Sequence, residues 1–188
     1  MLSESDREEF KKLAASYMNA LSALNHKDDE IYRFAETCGA FEDWRVLAKI
    51  ILPLPDLCRA RSHLIRKYYE LRDEPPLGLG EWPPLERKTQ IRINTLASAY
   101  ERLLKEKRRL HDEILGLAEE RGVLEDEDSL EEILSFVYTA CYLRLLLAER
   151  IRILHKIQAD QDNAVSHPKG EEPCSEEPAP SPYPQQSM

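Results

Sequence analysis

The sequence lacks any apolar run long enough to cross a lipid bilayer. Its most hydrophobic stretches, residues 48–54 and 143–148, are far shorter than the roughly 20 residues that a membrane-spanning helix needs. The first residues, MLSESDREEFKK, are polar and acidic, whereas a signal peptide begins with basic residues followed by an apolar run. We therefore expect no membrane contact and a cytoplasmic or nuclear location.

Metal-binding and catalytic sequence patterns are also missing. The four cysteines, Cys38, Cys58, Cys141 and Cys174, form no CxxC pair and have no histidine at metal-ligand spacing. No nucleophile elbow, Gly-rich phosphate loop or HExxH motif occurs. The prediction is a protein that is not an enzyme, with no cofactor, no metal site and free thiols.

The chain also lacks an excess of positive charge. Its 188 residues carry a formal net charge of −9, which argues against nucleic-acid binding driven by overall electrostatics. Hydrophobic residues make up 42% of the sequence, enough for one ordinary domain to bury a core.

Helical periodicity dominates the first 72 residues, for which we predict a small bundle of four helices. Ser5 and Glu8 have capping-box spacing, and an apolar stripe then continues to about Asn25. A second helix capped by Asp28 or Asp29 should end at Gly39. The remaining two are a helix from about Trp44 that ends before Pro53, and one over residues 57–71 with Leu57, Ala60, Leu64, Ile65, Tyr68 and Leu71 on one side.

Residues 73–84, DEPPLGLGEWPP, contain four prolines and two glycines and are predicted to be a hinge. Because a large ring on a loop favours burial, we expect Trp82 to fold back onto the bundle.

From about residue 85 the chain is predicted to form one long helix with a heptad pattern. The a and d positions are, in order, Ile93, Leu96, Tyr100, Leu103, Lys107, Leu110, Ile114 and Leu117. Seven of these eight positions are apolar, a pattern typical of a coiled-coil seam. Lys107 is the exception, and its stem can lie along the seam while the ammonium reaches water.

Gly122 should end this helix, and Ser129 with Glu132 predicts the cap of a last helix that runs to about residue 159. The short link favours an antiparallel hairpin over residues 85–159. Residues 160–188 are acidic and Pro-rich, which predicts a disordered tail. The fold class expected is thus all-α: a small N-terminal bundle, a coiled-coil-like helical hairpin and a flexible tail.

The function expected from this pattern is that of an interaction protein, a subunit or adaptor that associates through helices. We expect the hairpin to carry more apolar surface than it can cover alone, and exposed apolar patches mark interaction sites. The candidate contacts to a protein partner, or to a second copy, are Ile93, Leu96, Tyr100, Leu103, Leu110, Ile114, Leu117, Val137, Leu147 and Ile151.

Two alternatives remain open at this point. Arg102, Lys105, Arg108 and Arg109 lie at outer heptad positions, where they form either a solvated face or a strip that contacts phosphates or an acidic surface. The second reading would make the chain a nucleic-acid-associated regulatory protein. The other alternative is a helical scaffold that assembles only with itself.

Overall fold

A computed structural model describes residues 2–72, 84–139 and 141–166, and these form six α-helices with no strand. In chain order the helices are α1 (Glu4–Thr37), α2 (Trp44–Ile51), α3 (Arg59–Leu71), α4 (Arg87–Glu120), α5 (Glu127–Phe136) and α6 (Tyr142–Ser166). A single 3-10 turn, Val123–Glu125, joins α4 to α5. The predicted all-α class is confirmed.

Helix α1 is one continuous helix of 34 residues, so the predicted break near Asn25 is wrong. Its cap is Ser3 rather than Ser5: the Ser3 hydroxyl accepts a hydrogen bond from the Asp6 amide at 3.2 Å. The helix ends where expected, with Gly39 in the left-handed conformation at φ 70°.

Asp28, one of the two predicted caps of a separate second helix, instead caps α3. Its Oδ1 accepts a hydrogen bond from the Ala60 amide at 2.8 Å, in the first turn of α3. The residue at the α3 N-cap position, Cys58, makes no side-chain cap of its own. A carboxylate from α1 therefore satisfies an amide that would otherwise lack a partner, and it lies at the positive end of the α3 dipole.

The same carboxylate also reaches α4. The Tyr100 hydroxyl donates to Asp28 Oδ2 at 3.3 Å, and the Cys58 thiol donates to Oδ1 at 3.5 Å. Burial raises the pKa of Cys58 to about 12, so the thiol stays protonated and can donate. Asp28, buried together with Tyr100 and Cys58, thus ties α1, α3 and α4 at one point.

Helices α1 and α4 pack antiparallel over most of their length and form the spine of the molecule. The start of α1 lies beside the end of α4, where Asp6 and Arg121 form an ion pair at 3.2 Å. The end of α1 lies beside the start of α4, where Glu30 pairs with Arg92. The heptad seam predicted on α4 is real, but α1 covers it.

Two apolar clusters fill the two ends of this spine. Helices α2 and α3 close one end, around Ile31, Leu47, Leu64, Ile93 and Leu96. Helices α5 and α6 close the other, around Phe10, Tyr17, Ile114, Ile133 and Leu143. Each cluster contains residues from both sides of segment 73–84, so the core of the predicted N-terminal bundle is completed by α4.

Two further predictions concern this end of the molecule. Leu57, expected on the packed side of the fourth helix, lies before α3 and is exposed, because the helix begins only at Arg59. The expected hinge, apart from Pro84, and its residue Trp82 lie outside the described residues.

The predicted last helix is divided into α5 and α6. Between them the backbone leaves helical geometry at Val137, with φ −103° and ψ 75°. Arg144 explains how the break is tolerated: its Nη1 donates to the carbonyl oxygens of Leu134 at 2.6 Å and Val137 at 2.5 Å.

The side chain of Ser129 does not form the predicted capping box with Glu132. Its hydroxyl instead donates to the Asp126 carboxylate at 2.5 Å, which lowers the pKa of Asp126.

The predicted hairpin between α4 and the last helix is also revised. The main partner of α4 is α1, and α6 packs on α5. Helix α6 continues to Ser166, past residue 160 where the tail was expected to begin. The rest of that predicted tail, residues 167–188, lies outside the described residues.

The role of Asp28 yields a test of the fold. Replacing Asp28 by Ala leaves the Ala60 amide and the Tyr100 hydroxyl buried without their partner, so we expect the free energy of unfolding to fall by about 2–4 kcal/mol. Urea denaturation followed by circular dichroism measures this loss. The neighbouring Asp29 is exposed, and Asp29→Ala is the matched control, with an expected change within about 0.5 kcal/mol. Equal effects of the two substitutions would contradict the capping role of Asp28.

Candidate interaction surface

Most residues that the sequence offered as partner contacts are core residues in the structure. The buried ones are Ile93, Leu96, Tyr100, Leu110, Ile114, Val137 and Leu147. Leu103, Leu117 and Ile151 are half-buried and pack against the same two clusters. As placed, the seam is filled by α1, so these side chains are not open to another chain. The prediction failed because a heptad pattern shows that a face is covered without showing which helix covers it.

The predicted basic strip on α4 is largely neutralised by neighbouring acids. Arg109 pairs with both Glu106 and Glu113, and Lys105 lies 3.1 Å from Glu101. Arg102 and Arg108 are exposed. Residues 101–113 contain five basic and four acidic side chains, so the strip carries a net charge of about +1. The geometry is that of a solvated outer face with i,i+3 and i,i+4 ion pairs.

Helix α6 is held to the body of the molecule by one of its faces. Leu143 and Leu147 are buried against the cluster around α5, and Leu154 is half-buried beside it. Arg150 strengthens this attachment, because its Nε donates to the Leu124 carbonyl at 2.6 Å and its guanidinium pairs with Glu125. The inner face and its two anchoring arginines, Arg144 and Arg150, therefore fix the orientation of α6.

A second apolar stripe of α6 points into solvent. Tyr142 is 62% exposed, Ile153 40% and Ile157 46%, and the half-buried Leu146 lies between them. At about 100° per residue these four side chains fall within about 60° of one another around the helix. With a rise of about 1.5 Å per residue they extend over about 22 Å. We call Tyr142, Leu146, Ile153 and Ile157 the outer stripe.

Further exposed groups border the outer stripe. Leu145, 66% exposed, lies on one side of it, and the exposed residues Glu149, Arg152 and Lys156 follow along that side. Glu149 and Arg152 form an ion pair on the helix surface. Every side chain from His155 to Asp162 is exposed, and at the start of this stretch His155 pairs with Glu127 of α5. An apolar centre with a charged border is the usual composition of a protein-binding surface.

Two rings of the spine helices line up beside Tyr142, the first residue of the outer stripe. The ring of Tyr142 stacks on the His111 ring at a centroid distance of 5.7 Å, and His111 lies 6.3 Å from the ring of Tyr17. Burial, together with the nearby Cys141, raises the pKa of Tyr17 to about 12. These contacts connect the outer stripe to both helices of the spine.

Reasoning from the sequence missed the outer stripe because the stretch YLRLLLAERIRIL has apolar residues on several faces. In the sequence these residues merge into one wide apolar face, whose inner residues are the ones predicted as contacts. The available signal was the 3 and 4 spacing of Tyr142, Leu145 and Leu146, continued by Ile153 and Ile157, which forms a stripe beside the inner one.

Other kinds of site find little support in the part of the chain that the structure describes. No group of three or more His, Cys, Asp or Glu side chains is positioned there to bind a metal ion. No helix in the same part is both long enough and apolar enough to span a membrane.

His111 gives a pH-dependent prediction. Burial lowers its pKa below the ordinary value of 6.5. The unfolded chain therefore takes up a proton at His111 at a higher pH than the folded chain does. It follows that the contribution of this residue to stability is complete above about pH 6.5 and is lost as the pH falls toward the folded-state pKa.

The measurement is urea denaturation at a series of pH values between about 7.5 and 5. We expect His111→Gln to remove part of the loss of stability that the native chain shows in this window. His26, an exposed residue of α1, provides the control substitution His26→Gln. An unchanged pH profile for the His111 variant would contradict a buried, neutral imidazole.

The best candidate for a functional site is thus the outer stripe of α6 with its charged border. No protein-family model, no curated protein and no solved structure matches this chain.

Proposed function

We propose that this chain is a non-enzymatic helical interaction protein, a subunit or adaptor of a cytoplasmic or nuclear assembly, and that the outer stripe of α6, together with Leu145 beside it, is its docking surface. The observation that carries the proposal is the alignment of large exposed apolar side chains along one face of a single helix. The other large exposed apolar residues of the described chain are spread over different elements: Tyr32, Leu52, Leu57, Tyr69, Ile91 and Tyr138. Contiguous exposed apolar surface of this kind marks a binding site.

The energetics favour a partner that binds with moderate affinity. Full burial of one such side chain contributes about 1.5–3 kcal/mol, so four that are already partly covered contribute roughly 3–6 kcal/mol. Association itself costs at least about 4 kcal/mol. Contacts at the charged border, including Glu149, Arg152 and Lys156, must therefore supply the rest of the binding free energy. Because this total is small, we expect the complex to be reversible.

The shape of the surface favours a helical partner. A stripe about 22 Å long on a straight helix matches three to four turns of a second helix, which would insert its own apolar side chains between those of the stripe. The exposed end of α6 leaves this approach open, since residues 155–162 are all exposed.

Affinity purification of the tagged full-length chain, followed by mass spectrometry, tests the proposal. The double variant Leu145→Asp/Ile157→Asp places two carboxylates on the docking surface. We expect it to lose the proteins that the unmodified chain retains, because buried unpaired charges are costly. Both side chains are exposed, so the thermal melting curve should change little.

The matched control is Leu52→Asp/Ile91→Asp. These residues are 61% and 57% exposed and lie at the other end of the molecule, beside α2 and on α4. The control should retain the same proteins as the unmodified chain. Retention of an identical set of proteins by the α6 double variant would reject α6 as the docking surface.

A further inference from the structure

The outer stripe has a spacing that is the same in both directions along the helix. Tyr142 and Leu146 are four residues apart, Leu146 and Ile153 seven, and Ile153 and Ile157 four. This pattern is compatible with a two-fold symmetric contact, in which residue i of one copy meets residue j of the other while j meets i.

We propose that α6 packs antiparallel against α6 of a second copy of this chain, which gives a two-fold symmetric dimer. The inference rests on the proposed function, since it assigns an occupant to the same docking surface. With the two-fold axis between positions 149 and 150, Tyr142 faces Ile157 of the second copy and Leu146 faces its Ile153. All four apolar residues of the stripe are then covered by apolar residues.

The charges bordering the stripe are balanced in the antiparallel orientation. In that register Glu149 lies about one residue along the axis from Glu149 of the second copy and about two residues, or about 3 Å, from the level of its Arg152. The two Glu149 and two Arg152 side chains thus form a neutral group of four around the axis.

The exposed surface is sufficient for a weak dimer. Five partly exposed side chains, including Leu145, offer on the order of 400–500 Å² of apolar area in each copy, or about 800–1,000 Å² in the pair. This area lies below the about 1,200 Å² at which stable specific interfaces begin, in the range of weak, transient contacts. We therefore expect a reversible equilibrium with a dissociation constant in the range of about 1–100 µM.

Sedimentation velocity of the full-length chain between about 1 µM and about 500 µM tests the second copy directly. The expected result is a shift from monomer to dimer that persists in about 1 M NaCl, because apolar contacts are not screened by salt. The variant Leu145→Asp/Ile157→Asp should stay monomeric, and Leu52→Asp/Ile91→Asp should dimerise like the unmodified chain. A monomer at every concentration would overturn the proposal.

Disulfide trapping tests the orientation. The background has Cys38, Cys141 and Cys174 replaced by Ser, and one chain carries Tyr142→Cys while the other carries Ile157→Cys. The antiparallel register predicts a disulfide-linked dimer when the two chains are mixed and oxidised, and little when either is oxidised alone. A linked dimer formed as readily by each variant alone would indicate parallel pairing and overturn the inference.

The outcomes also separate this inference from the proposed function. If the chain is monomeric but the α6 double variant still loses other proteins in affinity purification, the second copy is rejected and the docking surface is retained. If the chain is monomeric and the recovered proteins are unchanged, both proposals fail.

Discussion

The antiparallel pairing of α1 with α4 is the constraint on which the rest of the molecule depends. Each helix is 34 residues long, so the two are matched in length. An isolated helix in water is marginal, and most helical stability in proteins comes from packing of an apolar face. Here each long helix supplies the cover for the other. The shorter helices then need only close the two ends, and this explains why the core consists of two clusters with α1 and α4 in both.

Asp28 is the polar group that fixes how the long helices and α3 meet. A buried carboxylate is costly unless hydrogen bonds satisfy it, and Asp28 accepts from Ala60, Tyr100 and Cys58. Only one register of α1 against α4 brings Tyr100 to this carboxylate. Sliding either helix by one turn would leave the Asp28 carboxylate buried with fewer hydrogen-bond donors, which is energetically costly. Asp28 therefore disfavours other registers of α1 against α4, in addition to capping α3.

Local signals in the sequence were sufficient to predict much of the fold. The all-α class, the end of α2 before Pro53, the end of α3 near Leu71 and the end of α4 before Gly122 follow from apolar periodicity and from the helix-stopping residues proline and glycine. The heptad positions on α4 were also identified as one apolar seam, although the sequence analysis assigned its cover to a partner chain and not to α1. These features depend on residues close together in the chain.

Features that depend on distant residues were not predicted. Aspartate is a residue type that commonly caps the helix following it, and only the tertiary contact with Ala60 shows that Asp28 caps α3 instead. The break after Phe136 occurs in the stretch SFVYTACYL, which contains no proline or glycine, and it is stabilised by Arg144 from the following helix. Periodicity likewise does not show which helix covers the α4 seam, so the partner contacts chosen from the sequence are mostly core residues.

Apolar helical faces thus have two fates in this protein: those of α1 and α4 cover each other, and one face of α6 stays exposed, where we propose that a partner docks. Hydrogen-exchange mass spectrometry of the full-length chain at low concentration tests this division most directly. The account predicts strong protection of residues 10–35 and 93–118 in the isolated protein, together with fast exchange at residues 155–162. Fast exchange throughout 93–118 in the isolated chain would show that the α4 seam is not covered by α1, and it would contradict the account.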